Sequence, residues 1–190
     1  MAQNHKIILA SGSPRRRELL AGLDIDFGTD TGNSFVESIP DGMDAYDVPM
    51  HMAYGKSHGF HRELTDGEIL ITADTVVITD NRVLGKPKDR DDAVDMLLSL
   101  SGRTHDVLTA VVLRSKDKEL SFTDVTHVHF AEMSIDEITY YVDTYKPFDK
   151  AGAYGIQEWI GYTSIERIEG SYFNVMGLPV HRVYSALKSF

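Results

Sequence analysis

The sequence predicts an α/β protein: a mixed β-sheet with flanking helices, arranged as two lobes around a cleft. Two observations predict it. Strand-like and helix-like stretches alternate at both ends of the chain, which is how strands layered against helices read in sequence. Between those ends, two alternating apolar–polar segments, residues 104–114 and 120–130, flank a polar turn at 115–118 and read as one long β-hairpin.

The elements follow in order. Residues 6–10 form a short apolar strand that runs into the small-residue turn Ser11-Gly12-Ser13. A helix opens there, with Ser13 as N-cap and Pro14 at the first helical position. Residues 23–43 read as strand and loop, carrying Glu37 and the turn Pro40-Asp41-Gly42. A helix is expected from about Asp44 to about His61, with Val48, Met52 and Ala53 on its buried side. Two β segments, residues 69–72 and 75–79, then stand on either side of Ala73-Asp74. The Asp80-Asn81 turn and a short return strand lead to Gly85-Lys86-Pro87. Residues 89–100 have Ala93, Met96, Leu97 and Leu100 at helical spacing, with Gly102 beyond the end. After the hairpin, Ser134 and Glu137 make a capping box for a helix reaching about Tyr145, and Pro147 marks its end. The loop 148–157 leads to a strand near 160–168 and a glycine-rich turn at Gly170. Pro179 starts the C-terminal helix.

A chain of 190 residues is long enough to bury a substantial core, as one domain or two small lobes. Its net charge of -10 argues against a general nucleic-acid binder, which needs a basic face. With no cysteine there is no disulfide framework, thiolate nucleophile or cysteine-ligated zinc, and a reducing compartment suits the chain. Residues 1–6 lack the apolar region of a signal peptide, and no run approaches transmembrane length. The expectation is a cytoplasmic protein with no membrane partner.

Against this acidic background the basic cluster Arg15-Arg16-Arg17 stands out. Cations are unfavourable in a first helical turn, where the dipole and free N–H groups are already positive. Hydroxyls of Ser11 and Ser13, backbone N–H groups and guanidinium forks together describe a place for phosphates, unless this is a capped surface helix whose arginines are simply solvated. Asp74 interrupts two strongly apolar segments, so its carboxylate is expected at a strand end or bend, facing solvent, a cation or a donor. It either holds a magnesium ion or acts as general base toward water, unless it is a turn aspartate bonded to its own backbone. Lys86 in its rigid turn is a fixed charge for phosphate or an ordinary surface lysine. In the segment Asp149-Lys150-Ala151-Gly152-Ala153-Tyr154-Gly155-Ile156-Gln157, the glycines allow close approach to the backbone. Gln157 there offers the donor and acceptor that suit a base edge. His51, His58 and His61, and the pair His127 and His129, read as solvated rather than zinc-binding. No P-loop and no nucleophile-elbow serine is present.

Taken in order, Ser11-Gly12-Ser13-Pro14-Arg15-Arg16, Ala73-Asp74-Thr75, Gly85-Lys86-Pro87, the 149–157 segment and Gly170-Ser171-Tyr172-Phe173-Asn174-Val175-Met176-Gly177-Leu178-Pro179 resemble the Maf family of nucleoside triphosphate pyrophosphatases. The resemblance covers nearly the whole chain, making residues 1–190 a single domain. It implies a fold similar to the inosine triphosphate pyrophosphatases, often a homodimer. It also implies cleavage between the α- and β-phosphates with a divalent cation, Mg2+ or Mn2+. It makes Asp74 catalytic, and Arg15, Arg16, Lys56 and Lys86 phosphate-binding, with Ser11 and Ser13 beside them. Asp74 and Glu37 become the metal ligands. Residues 151–157 resemble the branch acting on dTTP and UTP, whose specificity positions match Arg15, Thr75 and Gln157. One position departs: that branch usually places glycine after the glutamine, and here Glu158 and Trp159 follow. A reading of a different class is a regulator of septum formation that binds nucleotide without hydrolysing it.

Overall fold

The computed structural model describes residues 5–190; residues 1–4, most of the segment inspected for a signal peptide, lie outside the described residues. Strand β1 (Lys6–Leu9) buries Ile7, Ile8 and Leu9. It gives way at Ser11-Gly12-Ser13 to helix α1 (Pro14–Ala21), where the Ser13 hydroxyl accepts the Arg16 N–H and no acidic residue occupies the first turn. Strand β2 (Phe27–Thr29) follows, then helix α2 (Val48–His58) and the long strand β3 (Glu68–Thr79). Asp80 and Asn81 both have positive φ, 49° and 57°, which makes the two-residue turn that returns the chain into β4 (Arg82–Leu84). Helix α3 (Arg90–Leu100) is capped by Asp89 and buries Ala93, Leu97 and Leu100. Strands β5 (Thr104–Arg114) and β6 (Glu119–Phe130) are joined by the expected polar turn, closed by the Ser115 N–H on the Lys118 carbonyl at 2.8 Å. Helix α4 (Ile135–Tyr145) carries the full Ser134–Glu137 capping box and ends at Lys146 in the left-handed conformation. A 3-10 turn (Ala151–Ala153), α5 (Trp159–Thr163), β7 (Ile165–Glu169), α6 (Tyr172–Met176) and α7 (Val180–Leu187) complete the chain.

Among the described residues seven strands form one mixed sheet in the order β2-β1-β3-β5-β6-β7, with β4 paired to β3. β1 runs parallel to both β2 and β3, while β4 on β3 and β7 on β6 are antiparallel. This is the expected mixed α/β class.

Four local expectations are corrected. β3 does not break at Ala73-Asp74. Its first part, Glu68–Ile71, pairs with β1 and its last, Val77–Thr79, with β4, so one strand serves two neighbours. Helix α2 begins at Val48 rather than Asp44, because the Asp44 carboxylate accepts the Tyr46 N–H and holds residues 44–47 in a turn. The helix ends at His58, capped by Gly59, so His61 lies beyond it. Residues 159–163 are helical rather than extended. Gly161 packs so tightly on the preceding turn that a Cβ would stand 1.7 Å from the Ile156 carbonyl oxygen, and its N–H donates to the Glu158 carbonyl at 2.9 Å, so this local backbone packing prevails over the β preference of Trp, Ile and Tyr. Helix α6 was also unforeseen.

The chain divides into two compact units. The first holds the described residues up to Asp74 with Thr109–Asp124 and Gly177–Phe190; the second holds Thr75–Leu108 and Val125–Met176. In the first unit Ile8, Phe60, Leu64 and Leu70 form one apolar cluster, and Ala53, Ala110 and Val112 another. The second unit has a larger core, built on Val77, Leu97, Val107, Phe130, Ile138 and Ile160. No described helix is long and apolar enough to cross a membrane.

Candidate active site

In the first unit a carboxylate stands inside a strand, and its surroundings account for it. Asp74 follows Thr72 on one face of β3, since side chains two apart share a face. The Thr72 hydroxyl donates to the Ala53 carbonyl of α2 at 2.8 Å, fixing helix against strand. One turn further along α2, the Lys56 ammonium reaches Asp74 Oδ1 at 2.7 Å. The same ammonium lies 3.1 Å from Glu37 Oε1. Asp74 and Lys56 are only 17% and 19% exposed, whereas Glu37 is 61% exposed, so the inner pair is the better shielded from solvent.

The loop bearing Glu37 is seated by Gly55 of α2 and by its C-cap, Gly59. Asn33 donates to the Lys56 carbonyl, the Ser34 N–H donates to the Gly59 carbonyl at 2.8 Å, and Phe35 packs against Gly55 and Gly59. A Cβ on Gly55 would fall 2.3 Å from the Phe35 ring, and one on Gly59 2.7 Å from Phe35 Cβ. Two glycines four apart thus make the shallow surface on which the loop rests.

Arg16 braces the other side. Its Nε donates to the Gly177 carbonyl and its Nη1 to the Ala73 carbonyl, both at 2.8 Å, which fixes the backbone next to Asp74. Burial holds its guanidinium below the usual range, the Asp74 charge opposes that, and Arg15 adds to it. Ser11 is buried and its hydroxyl accepts the Ser13 N–H, while Gly12 is open, with nothing within 4 Å of a Cβ position. The first unit therefore gathers Ser11, Ser13, Arg15, Arg16, Glu37, Lys56 and Asp74 around α1, α2 and the middle of β3.

The second unit gathers the remaining candidates. The Gly152 N–H donates to the Gly85 carbonyl at 3.0 Å, joining the Gly85-Lys86-Pro87 turn to the 149–157 segment. Gly152 is required twice over: its φ is +67°, and a Cβ would meet Val77 at 2.8 Å. Val77 is two residues from Thr75 on β3, so Thr75 faces the same side. Lys86 is exposed. The Gln157 side-chain oxygen is buried with no hydrogen-bond partner among the described residues.

Sequence reasoning missed the groups that hold this segment. Lys150 is buried and pairs with Asp149 at 2.8 Å and Glu158 at 3.1 Å. Tyr141 on α4 donates to Glu158 Oε2 and accepts the Gly155 N–H at 3.0 Å. The available signal was Tyr141 itself, on the apolar face with Ile138 and Val142, where a buried hydroxyl must find a partner. In the glycine-rich motif, buried Asn174 donates to the Val107 carbonyl and to Thr126, both at 3.0 Å, and so stitches strands β5 and β6 to α6. Of the five histidines considered for zinc, His58, His61, His127 and His129 meet carboxylates, those of Glu119, Asp30, Asp106 and Glu169, and His51 meets the Ser38 carbonyl. Among the described residues no group of three or more histidine, aspartate or glutamate side chains is arranged to hold a metal.

The architecture is that of the HAM1-type α/β proteins. The solved structure of a HAM1 protein from Coxiella burnetii matches 98% of this chain and 100% of its own with a TM-score of 0.51, at 16% identity, a likeness of fold alone. Sequence carries the assignment further. Residues 6–190 match the model of the Maf-like protein family, and the chain belongs to that family. It is 50% identical to a dTTP/UTP pyrophosphatase of Parabacteroides distasonis over 188 residues, covering 99% of this chain and 97% of the relative. It is 50% identical to one of Porphyromonas gingivalis over 99% of this chain and 96% of the relative. A third, from Flavobacterium psychrophilum, is 48% identical over 96% of this chain and 93% of its own length.

Proposed function

We propose that this protein hydrolyses dTTP and UTP to the nucleoside monophosphate and pyrophosphate. The observation that carries the chemistry is the Asp74 carboxylate, held inside a strand by Lys56 and by the Arg16 brace on its neighbour's carbonyl. The names of relatives at about half identity support the substrates.

The substrate brings about four negative charges to a protein of net charge -10, so cations must be focused locally. Arg15, Arg16, Lys56 and Lys86 are the phosphate-binding cations, with Ser11, Ser13 and the N-terminus of α1 donating hydrogen bonds. Asp74 orients water for attack at the α-phosphorus or takes its proton, and pyrophosphate leaves. Gln157 and Thr75 read the base. The partnerless Gln157 oxygen is an acceptor suited to the imide N–H that uracil and thymine share.

The donor set suits a divalent cation. Two carboxylate oxygens, from Glu37 and Asp74, already converge on one positive charge, the Lys56 ammonium. Mg2+ and Mn2+ favour hard oxygen ligands, and Mg2+ is commonly bound by one or two carboxylates with substrate phosphates completing the shell. Glu37 and Asp74 would hold such an ion, which when bound would neutralise charge developing on the phosphates. The reading places the protein in the cytoplasm, which its lack of cysteine suits.

The test is pyrophosphate release across a panel of nucleoside triphosphates with Mg2+ or Mn2+. dTTP and UTP should lead. No release from any nucleotide would favour a binding protein instead, and a purine preference would overturn the substrate assignment.

A further inference from the structure

We propose that Tyr141 and Glu158 are positioning residues for base recognition, acting together as a staple that sets the direction of the Gln157 side chain. The inference rests on the reading of Gln157 as the group that meets the base.

Residues 155–158 form a turn closed by the Glu158 N–H on the Gly155 carbonyl at 3.0 Å. One hydroxyl grips both ends of it. Tyr141 accepts the Gly155 N–H at 3.0 Å and donates to Glu158 Oε2. Tyr141 is fully buried on α4, so the hydroxyl is delivered by a rigid element rather than by another loop. Burial and the adjacent carboxylate both raise its pKa, which keeps the donated proton on oxygen. The second carboxylate oxygen of Glu158 pairs with buried Lys150 at 3.1 Å, and Lys150 also meets Asp149. A Cβ on Gly155 would lie 3.1 Å from both Lys150 Cε and Glu158 Cδ, so the space inside the turn is filled by this network.

Gln157 is the third residue of the turn, with its backbone held on both sides and its side-chain oxygen buried without a partner. An acceptor desolvated in advance rewards a ligand with a donor there and penalises one without. Uridine nucleotides carry such a donor at the base N3 and cytidine nucleotides carry an acceptor, so the UTP-to-CTP preference reports how well Gln157 is aimed. The acidic residue that replaces the glycine expected after the glutamine is therefore turned into the loop's own support.

The test compares kcat/KM for UTP and CTP in the parent, Tyr141→Phe, Glu158→Ala, Glu158→Gln and Gln157→Ala. Gln157→Ala should reduce the preference by about tenfold or more, as loss of one discriminating hydrogen bond does. Tyr141→Phe keeps the ring and loses both hydrogen bonds. It should reduce the preference by a similar factor through the UTP KM, leaving kcat for CTP within about twofold, since aim rather than chemistry is lost. Glu158→Gln still accepts from Tyr141 and should keep most of the preference that Glu158→Ala loses. This pair decides the matter even where Tyr141→Phe fails to fold. The double variant Tyr141→Phe/Gln157→Ala should fall no further than Gln157→Ala alone. A preference that collapses in Gln157→Ala but survives in both Tyr141→Phe and Glu158→Ala would overturn the staple while leaving base reading intact. A preference unchanged in Gln157→Ala would overturn base reading and the staple with it.

Discussion

Lys56 Nζ lies 2.7 Å from Asp74 Oδ1, a helix residue held against the interior of a strand by a second contact, Thr72 on the Ala53 carbonyl. The pair explains how a carboxylate persists in the middle of a largely buried strand. An unpartnered charge there would be costly, and the ammonium 2.7 Å away offsets part of that cost.

Asp74→Asn keeps the shape of the side chain and removes its charge. kcat should fall by ~10²-fold or more, as removal of a general acid–base group does, with little change in KM because the arginines and Lys86 are untouched. Steady-state kinetics at saturating metal check this. Near-parental turnover would remove Asp74 from the mechanism and direct attention to Glu37, the other carboxylate on Lys56.

Gly55→Ala tests how the Glu37 loop is seated. In an isolated helix alanine is the better residue by roughly 1 kcal/mol. Here its methyl would enter the Phe35 ring, 2.3 Å from the nearest ring atom. Overpacking of this kind costs about 1–3 kcal/mol, so the variant should be less stable and lose activity as Glu37 moves off Lys56. Denaturant midpoints and kcat measured together check it; a more stable, fully active variant would show that the loop has another seat.

How much of this was legible in the sequence varies with how local the cause is. Ser13 and Ser134 announce helix starts through their own hydroxyls, and both caps form. The hairpin of residues 104–130 was readable from two β-rich segments on either side of a polar turn, although β5 is buried on both faces from Val107 to Leu113 instead of alternating. The break expected at Asp74 failed because the partner that keeps the strand whole, Lys56, sits 18 residues earlier on a helix. The helix at Trp159–Thr163 was missed for a different reason: its Gly161 backbone packs on Ile156, five residues earlier, a local contact that side-chain β preference does not register. Among the candidate-site residues, Ser11, Ser13, Arg15, Arg16, Asp74, Thr75, Lys86 and Gln157 stand in the motifs, whereas Glu37 and Lys56 lie outside them and enter the site only through the family resemblance. Tyr141 on its apolar helix face and the unexpected acid Glu158 both stand in the sequence, but their pairing, and that of Thr72 with Ala53, joins residues 17 and 19 apart and was not readable.

His105 gives the molecule a pH dependence of its own. It is buried, with its Nε2 2.7 Å from the Tyr154 hydroxyl, and burial pushes its pKa down from 6.5 to about 4. Its folded pKa lies below its unfolded one, so the unfolded chain takes up the proton first as pH falls. The stability held above pH 6.5 is therefore lost progressively between 6.5 and 4, on the order of 3 kcal/mol in total. His105→Gln, which keeps a nitrogen toward Tyr154, should flatten that part of the profile. Unfolding free energies of parent and variant from pH 7 to 4 check this; parallel profiles would place the acid sensitivity elsewhere.

The most direct measurement follows the oxygen of the attacking water. Hydrolysis of dTTP in 18O-labelled water, with the products resolved by mass spectrometry, identifies the phosphorus attacked. Attack at the α-phosphorus predicts dTMP carrying one 18O and pyrophosphate carrying none. Label in pyrophosphate, or dTDP and phosphate as first products, would contradict the account.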